Sequence, residues 1–193
     1  EGLSGTGPKA GGVYYVPRFF RQDLKNNKLE IGKNVKLLEV QEALFKSSKI
    51  GIKKLYVNEL PGPTGEINRL TAYGMGTILC LGPSADDARS QVMIAKQMGC
   101  PYLAVVPGGS GKNIINGFLK RSFLTELKGF DAVVLWSNVK DLKLVKKALA
   151  KRNGCIIPLI STTNMKNFCI KERHLCIDTT AAGGNVALLA RSS

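Results

Sequence analysis

The sequence predicts an α/β protein in which a parallel β-sheet is flanked by helices and followed by an extended terminal β-arm or flap. Three observations lead to this fold class. Four continuous apolar runs begin 23 to 30 residues apart, amphipathic stretches separate them, and the final segment alternates between apolar and polar residues. Continuous apolar strands are typical of parallel sheets covered on both faces. Their alternation with helices is typical of βαβ units with right-handed crossovers, so we expect a Rossmann-like architecture.

The elements of this unit follow from its hydrophobic periodicity. The predicted strands are 77–81, 102–106, 132–136 and 155–160, and the predicted helices are 84–98, 113–127 and 139–152. Ser84 is a typical helix N-cap with Asp87 three residues later, and Asn153-Gly154 is a typical helix end. The final segment, 173–180, is predicted to be a half-exposed strand. Its residues Leu175, Ile177 and Thr179 face one way, and His174, Cys176 and Asp178 face the other.

The region before this unit is less regular. Residues 1–12 are rich in glycine and predict a loop, and 13–16 form a short β candidate that Pro17 ends. The polar stretch 21–34 predicts a linker, and 35–45 predicts a helix. Two prolines and two glycines in 61–65 predict a loop, because this composition prevents regular strand pairing.

Composition excludes several classes of protein. The chain has 193 residues, of which 44% are hydrophobic and 22% are charged, as in ordinary globular proteins. No apolar run approaches the roughly 20 residues that cross a bilayer. The chain begins at Glu1 without Met or a secretory signal pattern, and we expect it to be a piece of a longer polypeptide.

The net charge of +14 is spread over the chain rather than held in one tail. Residues 111–193 alone carry 14 basic and 5 acidic groups, a net of +9. Lys140, Lys143, Lys147 and Lys151 recur at helical spacing and predict a basic helix face. Such a surface suits nucleic acid, anionic lipid or an acidic partner, and it equally suits plain solubility. Because no aromatic residue interleaves with these lysines, the face has no platform for base stacking.

The five cysteines predict neither a disulfide framework nor a metal site, so no metal-ligating residue is assigned. Their number is odd and none are spaced as CxxC. Cys80 and Cys155 lie in apolar runs and are expected to be buried thiols. His174 is the sole histidine, and a catalytic pair with Cys176 is an alternative that the pattern does not favour.

Two glycine-containing turns are candidate nucleotide sites. In the first turn, 82–87, Ser84 occupies the second glycine position, and Asp86 with Asp87 would repel a phosphate. The second, Gly108-Gly109-Ser110-Gly111-Lys112-Asn113, differs from a phosphate loop by lacking glycine at position 106 and Ser or Thr at 113. We expect it to be a mobile, empty loop leading from a strand to a helix. No catalytic or cofactor-binding residue is therefore predicted.

Three segments carry a resemblance to one family. They are Glu1-Gly2-Leu3-Ser4-Gly5-Thr6-Gly7-Pro8-Lys9-Ala10-Gly11-Gly12, then Leu60-Pro61-Gly62-Pro63-Thr64-Gly65-Glu66-Ile67-Asn68, and Thr179-Thr180-Ala181-Ala182-Gly183-Gly184-Asn185-Val186-Ala187-Leu188-Leu189. The first resembles the end of an aldehyde dehydrogenase module, and the other two are similar to carboxyl-terminal motifs of the proline utilization A (PutA) family. Together, in this order, they are more specific than any one alone.

The resemblance implies a bifunctional parent that joins a flavin-dependent proline dehydrogenase to an NAD-dependent glutamate-semialdehyde dehydrogenase. It implies that 1–20 ends the aldehyde dehydrogenase module, 21–34 is a linker, 35–168 is a non-catalytic Rossmann-like domain and 169–193 is a terminal β-flap. FAD, NAD and the catalytic residues would belong to upstream modules of the same polypeptide. The resemblance is also compatible with a homo-oligomer and with a cytoplasmic parent that associates peripherally with the inner membrane.

The flap is the predicted interaction surface. Its residues are Leu175, Ile177, Thr179, Thr180, Ala181, Ala182, Gly183, Gly184 and Asn185. By the resemblance, this arm covers the cavity through which pyrroline-5-carboxylate passes between active sites. The alternatives are a plain turn after the last strand, a basic module that binds membrane or nucleic acid, and a free-standing NAD enzyme.

Overall fold

The computed structural model describes residues 8, 10–20 and 32–178. Within these ranges the chain forms a five-stranded parallel sheet and a three-stranded antiparallel sheet. The elements are helices α1 (Leu37–Ser48), α2 (Ala85–Gln97) and α3 (Val139–Ala150), with strands β1 (Lys54–Leu60), β2 (Glu66–Gly74), β3 (Ile78–Cys80), β4 (Tyr102–Val106), β5 (Ile114–Asn116), β6 (Ala132–Val134), β7 (Leu159–Ile160) and β8 (Ile170–Asp178). Three 3-10 helices cover Val16–Phe19, Arg121–Thr125 and Met165–Phe168.

The parallel sheet confirms the predicted α/β class. Its order is β5-β4-β3-β6-β7, so the first strand, β3, is central. The next two strands extend the sheet to one edge, and β6 and β7 extend it to the other. Numbered within the sheet, this order is 3-2-1-4-5, which is the Rossmann order. The three central strands β3, β4 and β6 are fully buried, which explains why each has an uninterrupted apolar sequence.

Helices cover both faces of this sheet and create two cores. Helices α1 and α3 pack on one face, where Leu44 and Val145 contact the cluster that includes Leu79 and Val133. Helix α2 packs on the other face, where Val92 joins the cluster that includes Ile78. Complete burial of a Leu or Val side chain stabilises a fold by about 1.5–3 kcal/mol, so both layers hold the sheet.

The antiparallel sheet has the order β1-β2-β8. The predicted loop at 61–65 is the connection of the β1–β2 hairpin, and Gly65 adopts φ +84° there. Strand β8 pairs with all nine residues of β2, from Glu66 opposite Asp178 to Gly74 opposite Ile170. The predicted terminal arm is therefore the third strand of a sheet as far as Asp178, and the rest of it lies outside the described residues.

The predicted helix over 113–127 is wrong. This stretch contains β5 and the 3-10 helix Arg121–Thr125. Its apolar residues recur at helical spacing, but Asn113 (φ +56°) and Gly117 (φ +150°) have backbone conformations that an α-helix excludes. A Cβ on Gly117 would lie 2.6 Å from Cγ1 of Val35, so the backbone passes too close to Val35 for a side chain there.

Two other predictions need correction. Residues 13–16 form no strand, because Tyr15 donates its N–H to the Gly12 carbonyl (3.0 Å) and the 3-10 helix Val16–Phe19, with Pro17 in its first turn, begins at Val16. The predicted strand 155–160 shrinks to β7, which pairs only with residues 133 and 134 of β6. Cys155 is consequently exposed rather than buried.

Candidate functional site

The carboxyl edge of the parallel sheet is the place where a Rossmann fold binds a dinucleotide, between the first and fourth strands. Here that point lies between β3 and β6. Gly82 follows β3 with φ +76°, and its carbonyl accepts the backbone N–H of Trp136 (3.0 Å). The buried side chain of Gln91 binds the same glycine twice, to its N–H (3.1 Å) and to its carbonyl (2.8 Å).

These contacts leave little room at Gly82. A Cβ on this residue would lie 2.8 Å from Cγ2 of Val106 and 2.9 Å from the Ser84 nitrogen. The turn is therefore closed by the protein's own groups, and the glycine serves close packing rather than the approach of a ligand.

The first turn of α2 is also occupied from within the chain. The Asp87 N–H donates to Oγ of Ser84 (3.1 Å), and that hydroxyl donates to Oδ2 of Asp87 (2.9 Å). Asp86 forms an exposed ion pair with Arg89. Two carboxylates thus stand where the helix N-terminus would otherwise attract a phosphate. The residues present do not fit the pyrophosphate of NAD at this position.

The Gly108–Asn113 loop lies beside this turn, as its glycine Gly108 is near Ala85. It connects β4 to β5, so the prediction of a strand-to-helix loop is wrong. The Gly108 N–H binds Oδ1 of Asn116 (2.8 Å), and the Ile114 N–H binds the Gly111 carbonyl (3.3 Å). Positive φ angles at Gly108, Gly111 and Asn113 close the loop on itself, and Lys112 is exposed. Whether it is mobile and empty in solution stays a prediction.

One face of the outer sheet carries exposed apolar side chains around an exposed ion pair, in which Arg69, opposite Leu175, binds Glu59. Leu175 and Ile177 lie on the same side of β8 and are 47% and 43% exposed. On β2, Ile67 is paired with Ile177 and is 46% exposed. On β1, Val57 is paired with Thr71, which lies on the same face of β2 as Ile67, and Val57 is 43% exposed. Four large apolar side chains on one sheet face are unusual outside interaction surfaces.

The opposite face of the outer sheet is polar. Oε1 of Glu66 accepts hydrogen bonds from Sγ of Cys176 (2.9 Å) and Nδ2 of Asn68 (2.9 Å). These bonds, that from Cys176 first, lower the pKa of the Glu66 carboxyl. The thiol of Cys176 thus serves as a hydrogen-bond donor to Glu66, which gives no support to a catalytic pair with His174.

The sequence predicts only some of the residues on the sheet face that bears Leu175 and Ile177. Leu175 and Ile177 were selected from the alternation of the last segment, whereas Thr179, Thr180, Ala181, Ala182, Gly183, Gly184 and Asn185 lie outside the described residues. Val57 and Ile67 were missed. The available signal for their hairpin was a Pro/Gly loop between two short stretches, 54–60 and 66–74, that contain β-branched and aromatic residues.

The described residues contain neither a candidate metal cluster nor a membrane-spanning helix. No group of three or more His, Cys, Asp or Glu residues within 8, 10–20 and 32–178 is arranged to hold a metal ion. In the same ranges, no helix has the length and hydropathy needed to cross a membrane.

Comparison with known proteins adds a relationship that geometry alone does not provide. No protein-family model matches the chain. The bifunctional protein PutA of Escherichia coli is 27% identical over 230 residues, covering 98% of this chain, and PutA of Salmonella typhimurium is 28% identical over 235 residues, also covering 98%. The chain resembles PutA over nearly its whole length. It spans 17% of the length of each of these relatives, and the resemblance to PutA predicted from the three motifs is confirmed.

Aldehyde dehydrogenases are among the solved structures to which the chain is similar. KauB of Pseudomonas aeruginosa is 13% identical with a TM-score of 0.44, covering 67% of this chain and 32% of that enzyme. Betaine aldehyde dehydrogenase of Staphylococcus aureus, solved with NAD+, is 13% identical with a TM-score of 0.39, covering 64% of this chain and 29% of that one. The fold assignment itself rests on the strand order and the two helical layers.

Proposed function

We propose that this chain is a non-catalytic part of a PutA-type bifunctional protein, which oxidises proline to glutamate through pyrroline-5-carboxylate. In this proposal FAD and NAD serve the dehydrogenase modules of the parent, and this chain holds neither. The similarity to PutA over 98% of the chain carries the assignment. The closed turn at Gly82 and the carboxylate of Asp87 support a chain that has kept the Rossmann architecture without its dinucleotide site.

We further propose the domain layout expected from the resemblance. Residues 1–20 end the aldehyde dehydrogenase module, 21–34 link it to the Rossmann-like domain 35–168, and 169–193 form the flap. The hairpin of β1 and β2 lies within 35–168 in sequence, yet it shares a sheet with β8. In this proposal the flap is thus anchored to the Rossmann-like domain along nine residue pairs.

The role we propose for the flap is to cover the cavity between the two active sites. The supporting observation is a set of four apolar side chains that share one sheet face with the Glu59–Arg69 ion pair. Each is more than two-fifths exposed: Val57, Ile67, Leu175 and Ile177. A lid over such a cavity would retain the reactive intermediate and exclude bulk water. Covering the exposed halves of Leu175 and Ile177 contributes about 1 kcal/mol each, or about 2 kcal/mol together, which corresponds to about 30-fold in the docking equilibrium.

The test uses the full-length parent polypeptide and its two half-reactions. Deletion of 179–193, and separately the double substitution Leu175→Ser/Ile177→Ser, should slow the aldehyde dehydrogenase step and add a lag to NADH formation from proline. The flavin-dependent step should keep its rate, because it produces the intermediate and does not consume it. Met93→Ser serves as the control, because Met93 is an exposed apolar residue (57%) that lies on α2 rather than on the outer sheet. Unchanged kinetics in both flap variants would refute the lid.

A second candidate is a basic module that binds an anionic membrane surface or nucleic acid. One observation favours it: Lys140, Lys143, Lys147 and Lys151 are all exposed along α3, while its acidic residue Asp141 is buried against Arg121. Replacement of these four lysines by glutamine should abolish salt-dependent binding to anionic vesicles or to duplex DNA. If neither ligand binds the unmodified protein at low salt, this candidate is excluded.

A further inference from the structure

A groove lies at the amino edge of the parallel sheet, which is the edge opposite to the turn at Gly82. It is bounded by the second half of α3 and by the segment 154–159, which leads into the edge strand β7. Its volume is about 350 Å³, within the range of about 300–1,000 Å³ that is typical of ligand pockets. Its apolar lining consists of Leu149, Ala150, Ile156, Ile157, Pro158 and Leu159.

The apolar lining is fixed on its inner side and open on its outer side. Leu149, Ile157 and Leu159 are partly buried and pack against the core under α1 and α3. Ile156, in contrast, is 83% exposed. An occupant of the groove would therefore remove from water an apolar surface that the fold itself leaves uncovered.

The protein holds one cation of the groove in a fixed position. Arg152 lines the groove, and its Nη1 donates to the carbonyl oxygens of Leu124 and of Leu127 (2.7 Å). Its Cζ lies 4.9 Å from the centre of the Phe130 ring. These contacts set the plane of the guanidinium before a ligand arrives, so little side-chain entropy is lost when an anion binds.

The charge of Arg152 has no counter-charge in the part of the chain that the structure describes. No carboxylate within 8, 10–20 and 32–178 forms an ion pair with it, and its hydrogen bonds to these residues come from Nη1 alone. Burial lowers the pKa of Arg152, because the charged form loses hydration. Charges that are taken out of water are normally paired. The remaining donors, Nε and Nη2, form the edge that binds a carboxylate through two parallel hydrogen bonds.

The charge around the groove is also positive. Lys146 belongs to its lining, and the segment 139–159 contains six basic residues and one acidic residue, Asp141. Asp141 is already paired with Arg121, so it does not offset the cations of the groove. A concave surface of one charge raises the local concentration of ligands of the opposite charge. The groove therefore favours an anion, and its lining favours one with an apolar body.

We propose that this groove binds a small amphiphilic carboxylate, whose head group bridges Nε and Nη2 of Arg152 and whose aliphatic or aromatic body covers the apolar lining. Lys146 adds a second positive charge with less directional hydrogen bonding. The site lies at the sheet edge opposite to the place where a Rossmann fold holds a dinucleotide, so the two are separate. The inference does not depend on the proposed function.

Cys155 allows the proposal to be tested in the 193-residue chain. It lines the groove and is exposed, whereas the other exposed cysteine, Cys176, lies on β8. The folded protein is treated with N-ethylmaleimide in the presence and absence of 3-phenylpropionate, and alkylation of each cysteine is followed by peptide mass spectrometry. We expect the ligand to slow the alkylation of Cys155 in a saturable manner and to leave that of Cys176 unchanged.

Three other compounds separate the contributions of the head group and the body. 3-Phenylpropionamide has the same body without the charge, acetate has the head group alone, and inorganic phosphate tests for a general anion site. Each should require a concentration at least about 10-fold higher for the same protection of Cys155. Equal protection by any of the three would overturn the proposal.

Two variants test the site without relying on one substitution. Arg152→Gln should raise the dissociation constant, measured by calorimetry, at least about 10-fold. Arg173→Gln is its matched control and should leave the constant unchanged, because Arg173 also lies over an aromatic ring, that of Tyr73, but on the outer sheet. Ala150→Phe fills the groove from an exposed position, changes no charge and should abolish binding.

Unchanged affinity in either Arg152→Gln or Ala150→Phe would overturn the proposal, as would a lack of binding to the unmodified protein at about 10 mM ligand. A heptapeptide of alternating Glu and Val tests for a different occupant. If it protects Cys155 at a lower concentration than 3-phenylpropionate does, the occupant is an acidic polypeptide and the proposal of a small molecule is wrong.

Discussion

Replacing Asp141 by asparagine tests how much one buried ion pair contributes to the free energy of unfolding. Asp141, in the first turn of α3, accepts from Nε (2.8 Å) and Nη2 (2.9 Å) of Arg121, and each side chain is only 6% exposed. The pair joins α3 to the 3-10 helix Arg121–Thr125. The substitution Asp141→Asn leaves the guanidinium buried without its counter-charge. Breaking such a pair costs about 3–5 kcal/mol, against a total stability of about 5–15 kcal/mol for a typical domain.

Urea unfolding measures this cost conveniently, because Trp136 is the sole tryptophan and is buried next to Gly82. With a urea dependence of about 2 kcal/mol per molar, the midpoint should fall by about 2 M. Arg89→Ala is the matched control, since it breaks the exposed ion pair with Asp86, which contributes at most about 1 kcal/mol. The double substitution Arg121→Met/Asp141→Leu should recover most of the loss, because no charge is then left buried.

The reasoning fails if Asp141→Asn moves the midpoint no more than Arg89→Ala does. That result would mean that solvent reaches Arg121 in the folded protein. It would also fail if the double variant were as unstable as the single one, since the cost would then come from packing rather than from an uncompensated charge.

Two further predictions concern the closed turn. Gly82→Ala should destabilise the chain by about 2–4 kcal/mol, because it combines a positive φ with a Cβ 2.8 Å from Val106. Gly154→Ala is the control, since Gly154 has φ +96° but open space around it, and it should cost only about 1–2 kcal/mol. Equal urea midpoints for the two variants would contradict the close packing at Gly82. Calorimetric titration of the chain with NAD should give no binding heat, with an active aldehyde dehydrogenase as the positive control. A dissociation constant in the micromolar range would show that the turn opens.

The parts of the fold predicted well are those whose sequence has one physical explanation. Strand β4 was predicted at its observed bounds, 102–106, because its five residues are all apolar and all buried, as in a strand covered on both faces. Helices α2 and α3 were predicted to within two residues, since Ser84 starts the first, Asn153-Gly154 follows the second, and apolar residues line one side of each.

The parts predicted poorly depend on contacts between distant residues. The stretch 113–127 has helical spacing, but its path is set by the passage of Gly117 beside Val35 and by pairing with β4. The hairpin of β1 and β2 was missed because both sides of its outer half are exposed, which weakens the alternation. The meeting of Cys100 with Cys169 is a tertiary contact between residues 69 apart, and no local pattern indicates it.

The pairing of β2 with β8 also determines the order in which this chain becomes complete. Partners in this ladder are separated by 96 residues at one end (170 minus 74) and by 112 at the other (178 minus 66). At about 5–20 residues per second on the ribosome, β2 waits roughly 5–20 s for its neighbour to be synthesised. A two-stranded hairpin is only marginally stable in water, and during this interval the second edge of β2 offers its backbone N–H and C=O groups to any passing strand. Nascent chains that stall before Ile170 should therefore be the aggregation-prone species, and chaperones that shield extended segments should be needed longest at this edge.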